Sequence, residues 1–137
     1  MRAKEKVAVP MKRVLSVGQC AADHFGLSQA IQRHFDAEVI AAHTASEAKD
    51  KLQQETFALV LVNRVFDADG TSGIQFIKGL KVEENWRPVP IMLVSNHEHA
   101  QRRAVEAGAV PGFGKAVLGQ QEMLARLNPF LEAHQAD

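Results

Sequence analysis
The chain has 137 residues, 46% of them apolar, with 16 basic and 16 acidic side chains and no formal net charge. This length suits one domain with its own core, the apolar content excludes a disordered chain, and the charge balance argues against bulk DNA binding or an anionic membrane surface. A single cysteine, Cys20, excludes a disulfide framework and fits a reducing compartment; no apolar run is long enough to span a bilayer and no secretory signal opens the chain. A soluble cytoplasmic domain is therefore expected.

In chain order, the first stretch is MRAKEKVAVP, charged and weakly patterned, which reads as a loose extension with Met11 as an alternative start. The expected boundaries are residues 1–11 for the extension, 12–133 for the domain and 134–137 for a tail. RVLSV (13–17) has the apolar, β-branched character of a strand, and Leu27, Ala30, Ile31, His34 and Phe35 then share one helical face. EVIAA (38–42) is a second strand, followed by TASE, in which Thr44 and Glu47 form a capping box for a helix carrying Ala48 and Leu52. FALVLV (57–62) is a third strand with Asn63 at its tip. A loop containing Asp67, Asp69 and Gly70 leads into a helix in which Ile74, Ile77 and Leu80 recur after Gly73. VPIMLVS (89–95) is the fourth strand. Asn96 suits the N-cap of a helix bearing Ala100, Ala104 and Ala107, with Gly108 at its C′ position. A weaker fifth run, VPGFG (110–114), precedes a last helix lined by Met123, Leu124, Leu127 and Leu131, which Pro129 should kink or restart.

Continuous apolarity in the strands indicates a sheet covered on both faces. With alternating helices and short connections it predicts an α/β fold, a three-layer doubly wound (βα)5 domain around a five-stranded parallel sheet. In such sheets ligands and reacting groups gather beyond the carboxyl ends of the strands. Those ends supply Gly18, Gln19 and Cys20 after the first strand and Asn63 after the third. Ser95 and Asn96 follow the fourth, and Lys115 follows the fifth.

From about residue 12 to 132 the chain resembles the receiver domain of bacterial response regulators, of flavodoxin-like topology. VPIMLVSNHEHAQRRAVEAGAVPGFGK carries most of the resemblance; RVLSV, and FALVLVN with its glycine-bearing loop, add to it. The resemblance implies a magnesium-binding acidic pair at Gly18 and Gln19 and a phospho-acceptor aspartate at Asn63. It also implies a switch hydroxyl at Ser95 and a responding lysine at Lys115. Only the last two match. A hard, reluctantly dehydrated cation needs carboxylates that Gly18, Gln19 and Asn63 do not supply, and an amide oxygen is a poor nucleophile toward phosphorus. The proline expected after the lysine is Ala116, and the aromatic switch position falls on Gly112, beside Phe113. Asn63 is expected to hydrogen-bond Lys115 and Ser95 without charge, with Lys115 lacking an acid partner.

Other chemistry has weaker support. His24, His97, His99 and Cys20, with Asp67 or Asp69, resemble a transition-metal donor set, but His97 and His99 would point apart on a helix and read as solvated first-turn residues. DADG (67–70) begins like a calcium loop and then places Lys78 where the twelfth-position glutamate belongs, so the motif fails. Cys20 reads as a small buried hydrophobe rather than a reactive thiol, and Lys115 as a hydrogen-bond donor rather than a nucleophile of depressed pKa. Trp86, before RPVP, reads as packing at the sheet edge rather than as a partner anchor.

The expected function is a non-enzymatic, receiver-like adaptor without cofactor or metal, acting by protein–protein contact. Its partner would be a histidine kinase, a regulator or an output protein, docked on the face of the fourth helix, fifth strand and fifth helix, which carries Arg102, Arg103 and Glu106. No nucleic acid or membrane is expected, and no output domain follows the last helix. The oligomeric state is open, with a homodimer among the options. The alternatives are a working phospho-receiver using a displaced Asp67 or Asp69, and a sensor of a small ligand or metal at the sheet edge.

Overall fold
The computed structural model describes residues 11–134; the expected extension at 1–10 and the end of the expected tail at 135–137 lie outside the described residues. Five strands form one parallel sheet: β1 (Lys12–Val17), β2 (Ala37–Ala42), β3 (Leu59–Asn63), β4 (Ile91–Val94) and β5 (Val110–Phe113), in the order β2-β1-β3-β4-β5. The helices are α1 (Ala21–His34), α2 (Ala45–Gln54), α3 (Gly73–Lys81), α4 (Glu98–Glu106) and α5 (Gln121–Leu127). This is the three-layer, doubly wound (βα)5 architecture that the alternation of runs predicts, with the strand order of flavodoxin-like folds.

Both sheet faces are buried, which is why the strand sequences lack a polar alternation. Leu15, Val17, Val60, Val62, Ile91 and Leu93 enter one core cluster with Ala48, Ile77 and Ala104 from α2, α3 and α4. Val14, Leu59, Leu61, Met92, Val94 and Phe113 enter the other, with Leu27 and Ile31 of α1 and Met123 and Leu127 of α5. Strand order reverses between β1 and β3, the place at whose carboxyl edge ligands of such sheets bind. The register sets Val17 against Val62, and Asn63 against Val94, so Gly18 and Asn63 reach that edge together.

Local signals hold with two corrections. Thr44 Oγ1 accepts from the Glu47 amide (3.1 Å) and Glu47 Oε1 accepts from the His43 amide (2.7 Å), closing the expected capping box one residue further out. Gly108 takes a positive φ of 115° after α4, and α5 stops at Leu127, ahead of Pro129. Asn96, however, does not cap α4. The N-cap is His97, without a side-chain cap, because Asn96 Oδ1 instead accepts from the Ala116 amide at 3.0 Å. Nor does Lys115 end β5: the strand stops at Phe113, and Lys115 opens a short 3-10 turn, Lys115–Val117.

Gly73 shows how tightly β3 and α3 are joined. Its amide donates to the Arg64 carbonyl (2.8 Å), and a Cβ there would overlap the Asn63 carbonyl, 3.0 Å from its carbon. Backbone cannot give way as a flexible side chain does. Gly73→Ala is therefore expected to cost about 1–3 kcal/mol in chemical denaturation. Gly79→Ala, at an open helical position, should instead gain about 0.5–1 kcal/mol.

Candidate functional site
The half-buried Asn63 is fully engaged at the carboxyl edge of the sheet. Its Nδ2 donates to the carbonyls of Gly18 (3.0 Å) and Val65 (2.7 Å). Its Oδ1 accepts from the Arg64 amide (3.0 Å) and from Lys115 Nζ (3.3 Å). Both donors and both acceptor sites of the carboxamide are thus satisfied. The expected bond to Lys115 is present. The expected bond to Ser95 is not: the buried Ser95 accepts from the His97 amide at 3.1 Å and so serves the start of α4.

Lys115 is not the isolated ammonium that the sequence suggests. Its Nζ donates to Asp23 Oδ2 at 2.7 Å, across 92 residues of sequence, and that hydrogen bond holds the Asp23 carboxyl below the usual carboxylate range. Asp23 itself sits in the first turn of α1, whose N-cap is Cys20; Cys20 Sγ accepts from the Asp23 amide at 3.4 Å. Cys20 therefore has a structural task at a helix start.

In the resembled family this edge takes a divalent metal, and the residues present do not fit one. Gly18 has a φ of +82°, and a Cβ at that position would overlap the Phe66 ring. Phe66 is 1% exposed and meets Phe76 edge-on with centroids 5.6 Å apart, so an aromatic fills the space beside Gly18. Gln19 is 3% exposed with both amide atoms unpartnered, a polar group without charge. The pocket at this edge, about 270 Å³, is lined by Asn63, Arg64, Ser95, Asn96 and Lys115 with Val65 and Val94, and contains no carboxylate. A cation would meet two cationic side chains there and no anionic oxygen.

The β3–α3 loop that brings Phe66 inward is itself well tied. The Asp67 amide donates to the Gly18 carbonyl (2.9 Å), the Phe66 amide to Thr71 (2.9 Å), and Val65 bridges Ser72. Asp67 and Asp69 are exposed; Asp69 Oδ1 accepts from the Thr71 amide (3.1 Å), and Thr71 hydrogen bonds lower the Asp69 pKa. Neither carboxylate lines the pocket.

Farther along the edge, Gln101 lies beside Gly112. Its Nε2 donates to the carbonyls of Leu93 (2.8 Å) and Ser95 (3.1 Å), and its Oε1 accepts from the Gly112 amide (3.2 Å). The pairing of β4 with β5 is irregular here, and a Cβ at Gly112 would overlap the Leu93 carbonyl. Gln101 thus staples two strands across a gap that only glycine allows. Beside it a groove of about 790 Å³ runs between α4 and α5, lined among others by Gln101, Arg102, Val105, Glu106, Pro111 and Glu122. Arg103 is exposed but does not line it.

The histidines do not converge: among the described residues no three His, Cys, Asp or Glu side chains come together to hold an ion. His97 and His99 are exposed at the start of α4, with His99 Nδ1 3.4 Å from Arg102 Nη2. His24 is half-buried with an unpartnered Nδ1; burial, and then the nearby His43, lower its pKa. Trp86 is half-buried against the core and lines a separate cleft of about 500 Å³ with Phe57 and Leu52. Among the described residues no helix is long and apolar enough to cross a membrane.

Sequence reasoning missed Asp23, Phe66 and Gln101. Phe66 left a signal, an aromatic directly ahead of the acidic turn DADG. Asp23 carries no signal beyond that of a first-turn acid on α1, and Gln101 lies between two buried alanines, Ala100 and Ala104, with nothing local to mark it.

No family model matches the chain, and no curated protein does. Solved structures match the fold. A putative response regulator from Chloroflexus aurantiacus superposes with a TM-score of 0.77 at 18% identity, covering 88% of this chain and 98% of that one. A response regulator from Thermotoga maritima gives 0.70 at 21% identity, over 88% and 98%. A response regulator protein from Burkholderia pseudomallei, with a phosphorylated aspartic acid and a calcium ion, gives 0.69 at 22%, over 85% and 66%. At these identities the likeness establishes the fold.

The Asp23–Lys115 pair has a definite pH signature. Because the folded-state pKa of Asp23 is depressed, its contribution is complete above the ordinary value of 3.8 and is lost as pH falls through the lowered one. Asp23→Asn should therefore melt below wild type at neutral pH, with the gap closing in acid. Partial exposure keeps that gap to about 1 kcal/mol or less. A gap unchanged by acid would show that the contact is not ionic.

Proposed function
We propose that the chain is a receiver-like signalling module, residues 12–133, that works in the cytoplasm by protein–protein contact and takes no phosphoryl group. The observation that carries this reading is the Asn63 carboxamide, neutral and hydrogen-bonded at all four positions where a receiver would present a free carboxylate. An acyl phosphate, such as the phosphorylated aspartic acid of the Burkholderia pseudomallei protein, requires a carboxylate oxygen as nucleophile. Phosphoryl transfer also relies on a cation to neutralise developing charge, and Gly18 and Gln19 supply no anionic ligand for one.

Without a chemical input, the adaptor acts through its shape. Its partner is a signalling protein, a histidine kinase, regulator or output protein, received on the face of α4, β5 and α5. The groove along that face has an apolar wall with Val105 and Pro111, flanked by Arg102, Glu106 and Glu122. Such a mixture of apolar floor and charged rim suits a transient protein contact. Arg103 lies on the same helix, outside the groove, and belongs to the rim.

Beryllofluoride with magnesium, which mimics a bound phosphoryl group, should leave the amide chemical shifts of the wild-type protein unchanged. Saturable shifts centred on Asn63 would overturn the reading and favour a displaced acceptor, Asp67 or Asp69. For the partner face, Arg102→Glu with Arg103→Glu should reduce affinity capture of the partner at least tenfold while leaving the melting temperature within a degree or two, about what exposed substitutions allow.

A further inference from the structure
We propose that the side-chain nitrogen of Asn63 fills the role of a bound cation, so that the shape of this edge needs no metal. The inference rests on the reading above, in which Asn63 is not an acceptor of phosphoryl groups. Two carbonyl oxygens from different parts of the chain, Gly18 after β1 and Val65 in the β3–α3 loop, converge on one NH2 group at 3.0 and 2.7 Å. Converging carbonyls repel unless a positive group lies between them, and the groups that serve are hard cations and N–H donors. Here the donor is covalently part of β3, and its two hydrogens match the two acceptors.

The consequences spread along the loop. The Gly18 carbonyl also accepts from the Asp67 amide at 2.9 Å, and the Val65–Ser72 bridge closes the loop behind it. Phe66, between these two anchors, lies against Gly18. The carboxamide therefore joins the end of β1 to the β3–α3 loop and keeps the aromatic seated. Its Oδ1 at the same time faces Lys115, so one side chain presents a donor edge to the carbonyls and an acceptor edge to the ammonium.

Asn63→Asp tests this directly. At neutral pH a carboxylate only accepts, so the Gly18 and Val65 carbonyls would lose their donor and face a third oxygen. One carboxylate with two carbonyls is then an oxygen-only set of the kind that a divalent cation satisfies. Hydrogen exchange of the Phe66, Asp67 and Gly73 amides should be the same in wild type with magnesium or with EDTA. In Asn63→Asp it should be about tenfold or more faster in EDTA, two hydrogen bonds being lost, and should slow again on addition of magnesium. Asn63→Leu should be equally fast under both conditions. Wild-type protection in Asn63→Asp without metal, or no recovery with magnesium, would overturn the proposal. Should Asn63→Asp not fold in EDTA, its melting curve with and without magnesium asks the same question, and magnesium raising the wild-type melting temperature would also overturn it. A wild-type response to beryllofluoride strikes the functional reading, whereas the behaviour of Asn63→Asp strikes only this one.

Discussion
The carboxyl edge of this sheet is organised around one uncharged side chain whose hydrogen-bonding capacity is used up. Asn63 sits where the end of β1 meets the start of the β3–α3 loop; it donates to a carbonyl of each and accepts from the Arg64 amide. The four contacts share one rigid, planar carboxamide, so each restrains the others. Lys115 completes the arrangement from the opposite side, and its own charge is balanced by Asp23 rather than by anything on β3. The Lys115 ammonium thus has its counterion on α1.

Phe66 and Gln101 extend the same principle to the two loops beside it. Where Gly18 leaves room, an aromatic ring occupies it; where Gly112 leaves room, an amide bridges β4 and β5. At both glycines a side chain from a neighbouring element fills the space, and the amide that does so is itself paired. Gln19 is the exception, since its buried amide finds no partner, and nothing in the structure accounts for it.

Most of the architecture could be read from the residues, because it depends on local properties that a linear pattern records. The five runs, the TASE cap, Gly108 and the stop before Pro129 are all short-range signals. Strand limits were less legible: the third run begins at Phe57 but β3 at Leu59, since the apolar pattern continues through the buried Phe57 and through Ala58, whose amide bonds to the Arg13 carbonyl ahead of the regular ladder. The positions of Gly18, Asn63, Ser95 and Lys115 at one edge followed from topology. Their contacts did not. Asp23 reaches Lys115 across 92 residues, and no local pattern distinguishes an acid that serves the helix dipole from one that also meets a distant ammonium. Ser95 and Asn96 were assigned plausible partners, yet each turned to a closer backbone amide, those of His97 and Ala116. Short polar side chains compete for whatever backbone donor is nearest, and which one wins is decided by loop geometry.

The Gln101 staple bears on how α4 could move. One side chain holds the helix to both β4 and β5, so a displacement of α4 alone would break bonds to two strands at once. The helix and the two strands therefore form one mechanical unit, in which a force on any member is borne by all three.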